Sequence, residues 1–454
     1  MAEPGKTLDL DTLLGPRGVA PLVEDWRTKA GRLFTEYGIH PRGVVHGGPC
    51  SPDDLSWYAS VGFSQVLVIT ETTAPLPLAP DGLQVLRADS SVLQPGRFPV
   101  DVPGDYAFCN FAEGGFSPVD LPTTVQAVRW RFQIERNEAL SSGIPAKGKN
   151  FIDQGLNLAF VGHLEASGHV DAVYLRRPVV TMSDFGRNGR FGNQLFQRTT
   201  LRLVALRQGA ILQLPLWAGT ALFETEEPLP SNRVLPMVKE ETLDVAAREL
   251  LCTKSKAGFA GMDYSGYGMS HTRLFTGHKE LIRADHTFDS RMNARFDAVV
   301  GPRLAGGKKL VVIHLRRGDY GYGQFFRAPC TWYQEWMSQQ GFAPASHVLF
   351  ICSENPGRYR ERFEGFTVVT ADDLGAPAEL APYFDFLAMT QADALAIANS
   401  SFSFFAAMLN PKAGSFVRPD AQQGGLIPFD PWDAEPLLDQ KLSPEEHRRL
   451  KEID

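Results

Sequence analysis

Lys309-Leu-Val-Val-Ile-His-Leu-Arg-Arg-Gly-Asp-Tyr320 decides the reading of this chain. A short, nearly unbroken apolar run, followed at once by two arginines and a Gly-Asp turn signal, describes a buried parallel strand whose carboxyl end opens onto a charged loop. Similar runs follow at Val348-Leu-Phe-Ile-Cys352, Thr367-Val-Val-Thr370 and Ala394-Leu-Ala-Ile-Ala398. Helices are expected between them, around 330–338, 355–363 and 384–391. That alternation predicts a doubly wound α/β layer, in which ligands bind beyond the carboxyl ends of the strands. Arg316 and Arg317 stand at such an end.

Two other segments belong with this one: Asn188-Gly-Arg-Phe-Gly-Asn-Gln-Leu-Phe-Gln197 and Asn399-Ser-Ser-Phe-Ser-Phe-Phe405. The latter puts Ser400 and Ser401 at a strand-to-helix turn. Either hydroxyl can cap the helix expected over 402–409, whose free amides and positive dipole end suit an anion. A guanidinium fork suits phosphate oxygens. Together these segments describe a diphosphate site, with a nucleotide sugar as the natural ligand. When a sugar leaves a diphosphate, negative charge grows on the leaving group, and a fixed arginine stabilises that charge most in the transition state. Asp385, early in the preceding helix, can accept the N1 and N2 edge of guanine. Asp319 is the candidate general base, or else orients Arg317 or the acceptor. The plainer alternatives are surface ion pairs for the arginines, simple capping for the serines, an exposed helix aspartate and a turn residue. Phe402, Phe404 and Phe405 are expected in the core.

A chain of 454 residues has room for two or three domains. Its 43% hydrophobic and 21% charged content are ordinary for a globular protein, and a net charge of -7 argues against non-specific nucleic-acid binding. The start lacks a basic segment followed by an apolar core, and no run reaches the roughly 18 apolar residues that span a bilayer. Cys50, Cys109, Cys252, Cys330 and Cys352 are scattered without zinc spacing, so reduced thiols, no metal and a cytoplasmic location are expected. Asp9-Leu-Asp11 has the form of a metal-binding pair but lies in a polar leader, and is expected at the surface.

The amino-terminal third also alternates strand signals, at 43–46, 65–69, 83–86, 106–111 and 170–175, with a helix over 52–61. A boundary is placed near Pro178. Beyond it, Leu195, Phe196, Thr199, Leu203 and Leu206 share one helical face, Gly209 ends that helix, and a strand follows at 210–214. The Gly- and Tyr-rich stretch 259–270 is expected to be a surface loop, with an acceptor-side role as the alternative. The units are therefore 1–178, 179–303 and 304–454.

The order and text of the three segments resemble the α-1,2-fucosyltransferases, glycosyltransferase family 11, over about residues 180 to 420. The resemblance implies a GT-B fold, two facing Rossmann-like domains, here preceded by an additional Rossmann-like α/β domain. It implies transfer of L-fucose from GDP-β-L-fucose to the 2-hydroxyl of a terminal galactoside, with inversion and with no metal or cofactor required. By correspondence, Arg316 is the essential β-phosphate contact, with Arg317 beside it. His314 lies by the guanine, and Asp385, Ser400 and Ser401 belong to the donor site. Arg190, Asn193 and Gln194 fall in the loop facing donor and acceptor. Bacterial members usually carry two tryptophans where this chain has Phe404-Phe405. The acceptor would be a galactose-terminated glycan or lipid-linked oligosaccharide, with the protein at the inner face of the membrane by peripheral association.

Residues 43–71 resemble the start of an FkbM-type, S-adenosylmethionine-dependent methyltransferase. His46-Gly-Gly48 stands where a glycine loop would follow the first strand, and Glu71 near the place of the acidic ribose ligand. Pro49 and Cys50 occupy that loop, and Thr70 stands where the acid is expected. The domain is therefore read as a degenerate, structural one. A sugar O-methyltransferase or a bifunctional enzyme is the alternative, and a non-enzymatic glycan-binding protein the third reading.

Overall fold

Short β-branched and aliphatic runs, each bounded by glycine, proline or a helix cap, build three separate sheets. The structure is a computed structural model that describes residues 8–14, 26–40, 42–70, 75–89, 106–111, 121, 125–133, 149–161, 169–223, 227–230, 234–254 and 258–453. Glu71 lies outside the described residues.

The first sheet contains β1 (Gly43–Gly47), β2 (Gln65–Thr70), β3 (Gln84–Asp89), β4 (Tyr106–Phe111), β5 (Ala127–Gln133), β6 (Asn157–Val161) and β7 (His169–Leu175). Its order is β3-β2-β1-β4-β5-β7-β6, with β7 antiparallel to both neighbours. The expected helix is Pro52–Val61. Ser51 and Asp54 cap it reciprocally, and Gly62 ends it at φ 98°, a left-handed turn that a side chain would strain. Apolar clusters on both faces of this sheet make its core.

The second sheet is small and wholly parallel: β8 (Val179–Thr181), β9 (Ile211–Gln213), β10 (Met237–Lys239) and β11 (Met262–Ser265), in the order β10-β11-β8-β9. Pro178 falls between β7 and β8. The helix Phe191–Gln208 carries the first motif and stops at Gly209. Ile211 packs into the first sheet's core, and Gln213 Nε2 donates to Leu158 O at 2.9 Å, so the two sheets meet along β9 and β6.

The third sheet holds β12 (Lys309–Leu315), β13 (His347–Ser353), β14 (Thr367–Val369), β15 (Ala394–Ala396), β16 (Phe416–Asp420) and β17 (Gly425–Pro428). Its order is β14-β13-β12-β15-β16-β17, parallel except for β17. The chain winds outward one way from β12 and then returns to β15 on the other side. The switch point between β12 and β15 is where a doubly wound sheet opens a crevice. The second motif leaves β12 there, and the third follows β15.

The expected helices need one correction. The stretch around 355–363 is a helix of one turn, Gly357–Arg360, followed by a 3-10 turn over Glu361–Phe363. The hairpin β16–β17 carries too few alternating apolar residues to announce itself. The helix Ser290–Arg303 packs onto the third sheet, with the Phe296 ring 6.0 Å from that of Phe350. Second and third units share one continuous apolar cluster, which takes in Phe196, Met292, Phe296, Val312, Phe350 and Phe405. Among the described residues no helix is long and apolar enough to cross a membrane.

Candidate active site

Between the second and third sheets lies a cleft of about 1110 Å³. Gly189, Arg190, Gly192 and Asn193 line it from one side. His314, Arg316, Asp319, Glu354, Asp385, Ser400 and Ser401 line it from the other. Three segments far apart in sequence therefore converge on the switch point of the third sheet.

Two helix starts meet there. A Cβ on Gly192 would lie 2.4 Å from the backbone N of Phe402, so only glycine lets the helices Phe191–Gln208 and Ser401–Leu409 approach this closely. Ser401 Oγ donates to Asn193 Oδ1 at 2.5 Å across the junction. Neither serine caps its own helix as expected: Ser400 occupies the cap position without a side-chain bond to the first-turn amides. Arg190, at the cap of the other helix, makes no such bond either. Both first turns thus present amides without side-chain acceptors, a favourable setting for an anion.

Asn399 ties the surrounding loops together. Its Nδ2 donates to Gln324 O and Leu438 O, each at 3.0 Å, and its Oδ1 accepts from Leu438 N at 2.9 Å. Tyr320 OH donates to Asn399 O at 3.0 Å.

The two arginines part company. Arg316 points into the cleft, where it pairs with Asp319 Oδ1 at 2.6 Å and with Glu354 Oε1. Arg317 does not line the cleft. It is buried, its Nε donates to Tyr359 OH at 2.9 Å, and its guanidinium lies 5.3 Å from that ring's centre. The adjacent side chains of an extended segment point to opposite sides, so only one of the pair can reach a ligand. Gln194 is likewise buried on its helix and stands outside the lining, while Asn193 is in it.

Glu354, just past β13, was missed in the sequence. Besides pairing with Arg316, its Oε2 accepts from Arg317 N at 2.9 Å. A Cβ on Gly318 would meet its Oε1 at 2.9 Å, so the glycine admits the carboxylate. Its place beyond a strand end was a usable signal; its partner in the neighbouring loop was not.

Asp319 bonds to Arg190 as well as to Arg316, and so bridges the cleft. Burial pushes its carboxyl up, but the Arg316 and Arg190 guanidiniums outweigh this and hold it below the usual carboxylate range. It pairs with Arg316, not Arg317, and a carboxylate held this way takes up a proton reluctantly. Replacing Asp319 with asparagine should tighten diphosphate binding about two- to fivefold, because a competing anion on both arginines is lost. Calorimetry checks this. Unchanged diphosphate affinity together with collapsed turnover would instead mark Asp319 as a base.

His314 is buried, and burial, with Arg316 and Arg317 adding, pushes its pKa down to about 3. It is a neutral ring at ordinary pH. Its Nδ1 has no partner among the described residues, and the ring packs 5.8 Å from Phe402. Asp385 opens onto the cleft and is otherwise enclosed. Burial, and then the nearby carboxylates of Glu354 and Asp372, push its carboxyl well above the ordinary range. Phe404 and Phe405 are core residues, with Phe405 edge-on to Phe196 at 5.0 Å, whereas Phe402 packs between His314 and Phe386 and reaches the cleft.

The first sheet's own switch point, between β1 and β4, is filled by its own side chains. His46 Nδ1 accepts from Tyr58 OH at 2.8 Å, its Nε2 donates to Pro49 O at 2.9 Å, and Asn110 joins Tyr58 and Arg129. All four side chains are buried. S-adenosylmethionine would have to displace this network, so the residues present do not fit that cofactor. His46, Cys50 and Asp54 lie close enough to share a metal. However, both His46 nitrogens are engaged and Asp54 is bound by Arg27 at 2.7 Å. Asp9 caps its own short helix through Thr12, and Asp11 pairs with Arg291 at 2.6 Å, which accounts for that Asp-x-Asp.

No family model matches the chain. It is 25% identical over 262 residues to galactoside alpha-(1,2)-fucosyltransferase 1 of Gorilla gorilla gorilla and 24% identical over 262 residues to that of Homo sapiens. It is 26% identical over 263 residues to the Lagothrix lagotricha protein. Each match covers 52% of this chain and 68% of the relative. Among solved structures it is similar to NodZ alpha-1,6-fucosyltransferase co-crystallised with GDP, at 14% identity and a TM-score of 0.38, over 56% of this chain and 98% of that one. A mutant of Arabidopsis thaliana FUT1 in complex with GDP matches at 10% identity and a TM-score of 0.36, over 54% of this chain and 71% of that one. Over about half its length, then, the chain is similar in sequence to α-(1,2)-fucosyltransferases.

Proposed function

We propose that this chain transfers L-fucose from GDP-β-L-fucose to the 2-hydroxyl of a terminal galactoside, with inversion and without a metal. The observation that carries this reading is Arg316, set at the end of β12 beside the uncapped start of the helix Ser401–Leu409 at the switch point of the third sheet. The similarity in sequence supports it. Arg316 and the helix amides would share the diphosphate, and the charge that develops as fucose leaves would fall on donors already in place. Arg316 then fills the cationic role that a metal fills elsewhere. With Asp319 a poor base, leaving-group stabilisation carries most of the rate, through a loose transition state that asks little of the acceptor hydroxyl before bond formation.

The test is a donor screen. The chain is incubated with GDP-fucose, GDP-mannose or UDP-galactose and simple galactosides, and products are read by mass. Fucosylated galactoside from GDP-fucose alone is expected; transfer from another donor, or none, sinks the reading. Separate titration with S-adenosylmethionine tests the methyltransferase alternative, and no binding is expected.

Asp385 should make guanine recognition pH-dependent. Only its ionised form accepts both N–H groups of the guanine edge. Its resting pKa is raised, chiefly by burial. Below that pKa, binding must expel a proton, so affinity falls as pH drops and levels off above it, by at most about tenfold per pH unit. ADP carries the same phosphates without that edge, so the GDP-to-ADP affinity ratio isolates the effect. A ratio that is flat, or that falls as pH rises, would remove Asp385 from the base site.

A further inference from the structure

Of the exposed large apolar side chains among the described residues, only Tyr267 (49% exposed) and Tyr322 (60% exposed) line the cleft. They stand on opposite walls, one following β11 of the second sheet and the other in the loop after β12 of the third. Both rings are open to water, yet both backbones are tied down.

Around Tyr267, Glu240 accepts from the amides of Tyr267 and Gly268, the latter at 3.0 Å. Gln197 Nε2 donates to Gly266 O at 3.1 Å, and Thr200 Oγ1 to Gly268 O at 2.7 Å. A Cβ on Gly266 would lie 2.3 Å from Glu240 Oε2, so the clamp closes only over glycine. The Gly- and Tyr-rich stretch 259–270, expected to be a surface loop, is instead the strand β11 followed by this stitched turn. Around Tyr322, Phe325 N donates to Tyr322 O at 2.9 Å, Asn399 holds Gln324 O at 3.0 Å, and His447 Nε2 donates to Gly323 O at 3.0 Å. A half-exposed aromatic ring on a fixed loop suits a ligand with a flat apolar face, because little order remains to be lost on binding.

We infer that Tyr267 and Tyr322 form a stacking platform for the acceptor, which is a glycan ending in a pyranose of galacto configuration. This rests on the fucosyl-transfer reading for the word acceptor. A pyranose has a polar rim and apolar C–H faces. In the galacto epimer the axial 4-hydroxyl clears one face, so the hydrogens on C3, C4 and C5 form an unbroken apolar patch the size of a tyrosine ring; one ring meets that patch and the other, on the facing wall, the adjoining sugar. In the gluco epimer that patch is interrupted. On the fucosyl-transfer reading the nucleotide takes Arg316, His314 and Asp385, at the strand end and in the preceding helix, which leaves the two exposed tyrosines of the lining to the second substrate.

The probe is lactose, added to the chain alone and again with saturating GDP, and followed by saturation transfer from aromatic protons. Transfer is expected to be strongest at the galactose C3–C5 hydrogens. Tyr267→Ala and Tyr322→Ala should each lower lactose affinity about tenfold. Tyr267→Phe and Tyr322→Phe should change it less than twofold, and GDP affinity should be unchanged in all four. The proposal is overturned if lactose fails to bind the unaltered chain, if the alanine variants bind it equally well, or if they lose GDP instead, which would give the rings to the nucleobase. GDP titration of the unaltered chain separates the two ideas: absence of GDP binding ends the fucosyl-transfer reading, while the lactose titration alone decides the platform.

Discussion

Replacing Arg316 with alanine should lower fucosyl transfer by about 10² to 10³, the loss typical of one fixed donor to a developing oxyanion. The resting contacts of Arg316 enlarge its role. It neutralises Asp319 and Glu354, so the alanine variant leaves two carboxylates facing the incoming diphosphate. GDP affinity should therefore fall along with turnover, and high salt should recover part of the binding but none of the turnover. Lysine should rescue poorly, since a single ammonium cannot reproduce the planar fork. Single-turnover kinetics with GDP-fucose and a galactoside separate the binding loss from the chemical one. Turnover within about threefold of the unaltered chain would remove Arg316 from the transition state.

Replacing Asp171 with alanine should destabilise the first unit by about 3–5 kcal/mol. Arg129 is buried on β5, reaches diagonally to Asp171 on β7, and lies 4.4 Å above the Trp26 ring. Without that carboxylate, a charged guanidinium remains away from water. Exchanging both members, Arg129→Met with Asp171→Ala, should restore most of the loss, because the unpaired charge rather than the missing attraction dominates. Urea denaturation followed by tryptophan fluorescence reads the effect, since Trp26, Trp57 and Trp130 all lie in this unit. A loss under about 1 kcal/mol would show that water reaches Arg129. GDP affinity of the folded variant should be unchanged, because the first sheet's core is separate from the apolar cluster beneath the cleft.

The sequence made the parallel strands of the third sheet legible because they are buried on both faces and bounded by helices, whereas β5, β8 and β11, alternating or very short, were not anticipated. β12, β13 and β15 are continuous apolar runs, and the switch point between β12 and β15 follows from doubly wound order. Local chemistry was legible too, as with Gly209 ending its helix. Partners distant in sequence were not. Asn193 and Ser401 are 208 residues apart, Arg190 and Asp319 129 apart, and no local pattern encodes either contact. The serines illustrate the limit: a cap is the best local guess, and a bond across the cleft took its place. Arg317 illustrates another, since two identical neighbours on an extended segment must face opposite ways and the text alone does not say which faces the ligand.

The seam where Gly192 rests on the Phe402 backbone also governs motion. Rotating the two walls apart about that point would tear Phe196 from Phe405 and open a dry core to water. The large jaw-like swing available to loosely joined lobes is therefore closed to this pair. Substrate entry and product escape fall to the loops at the rim, and their rates should respond to changes in those loops far more than to solvent viscosity.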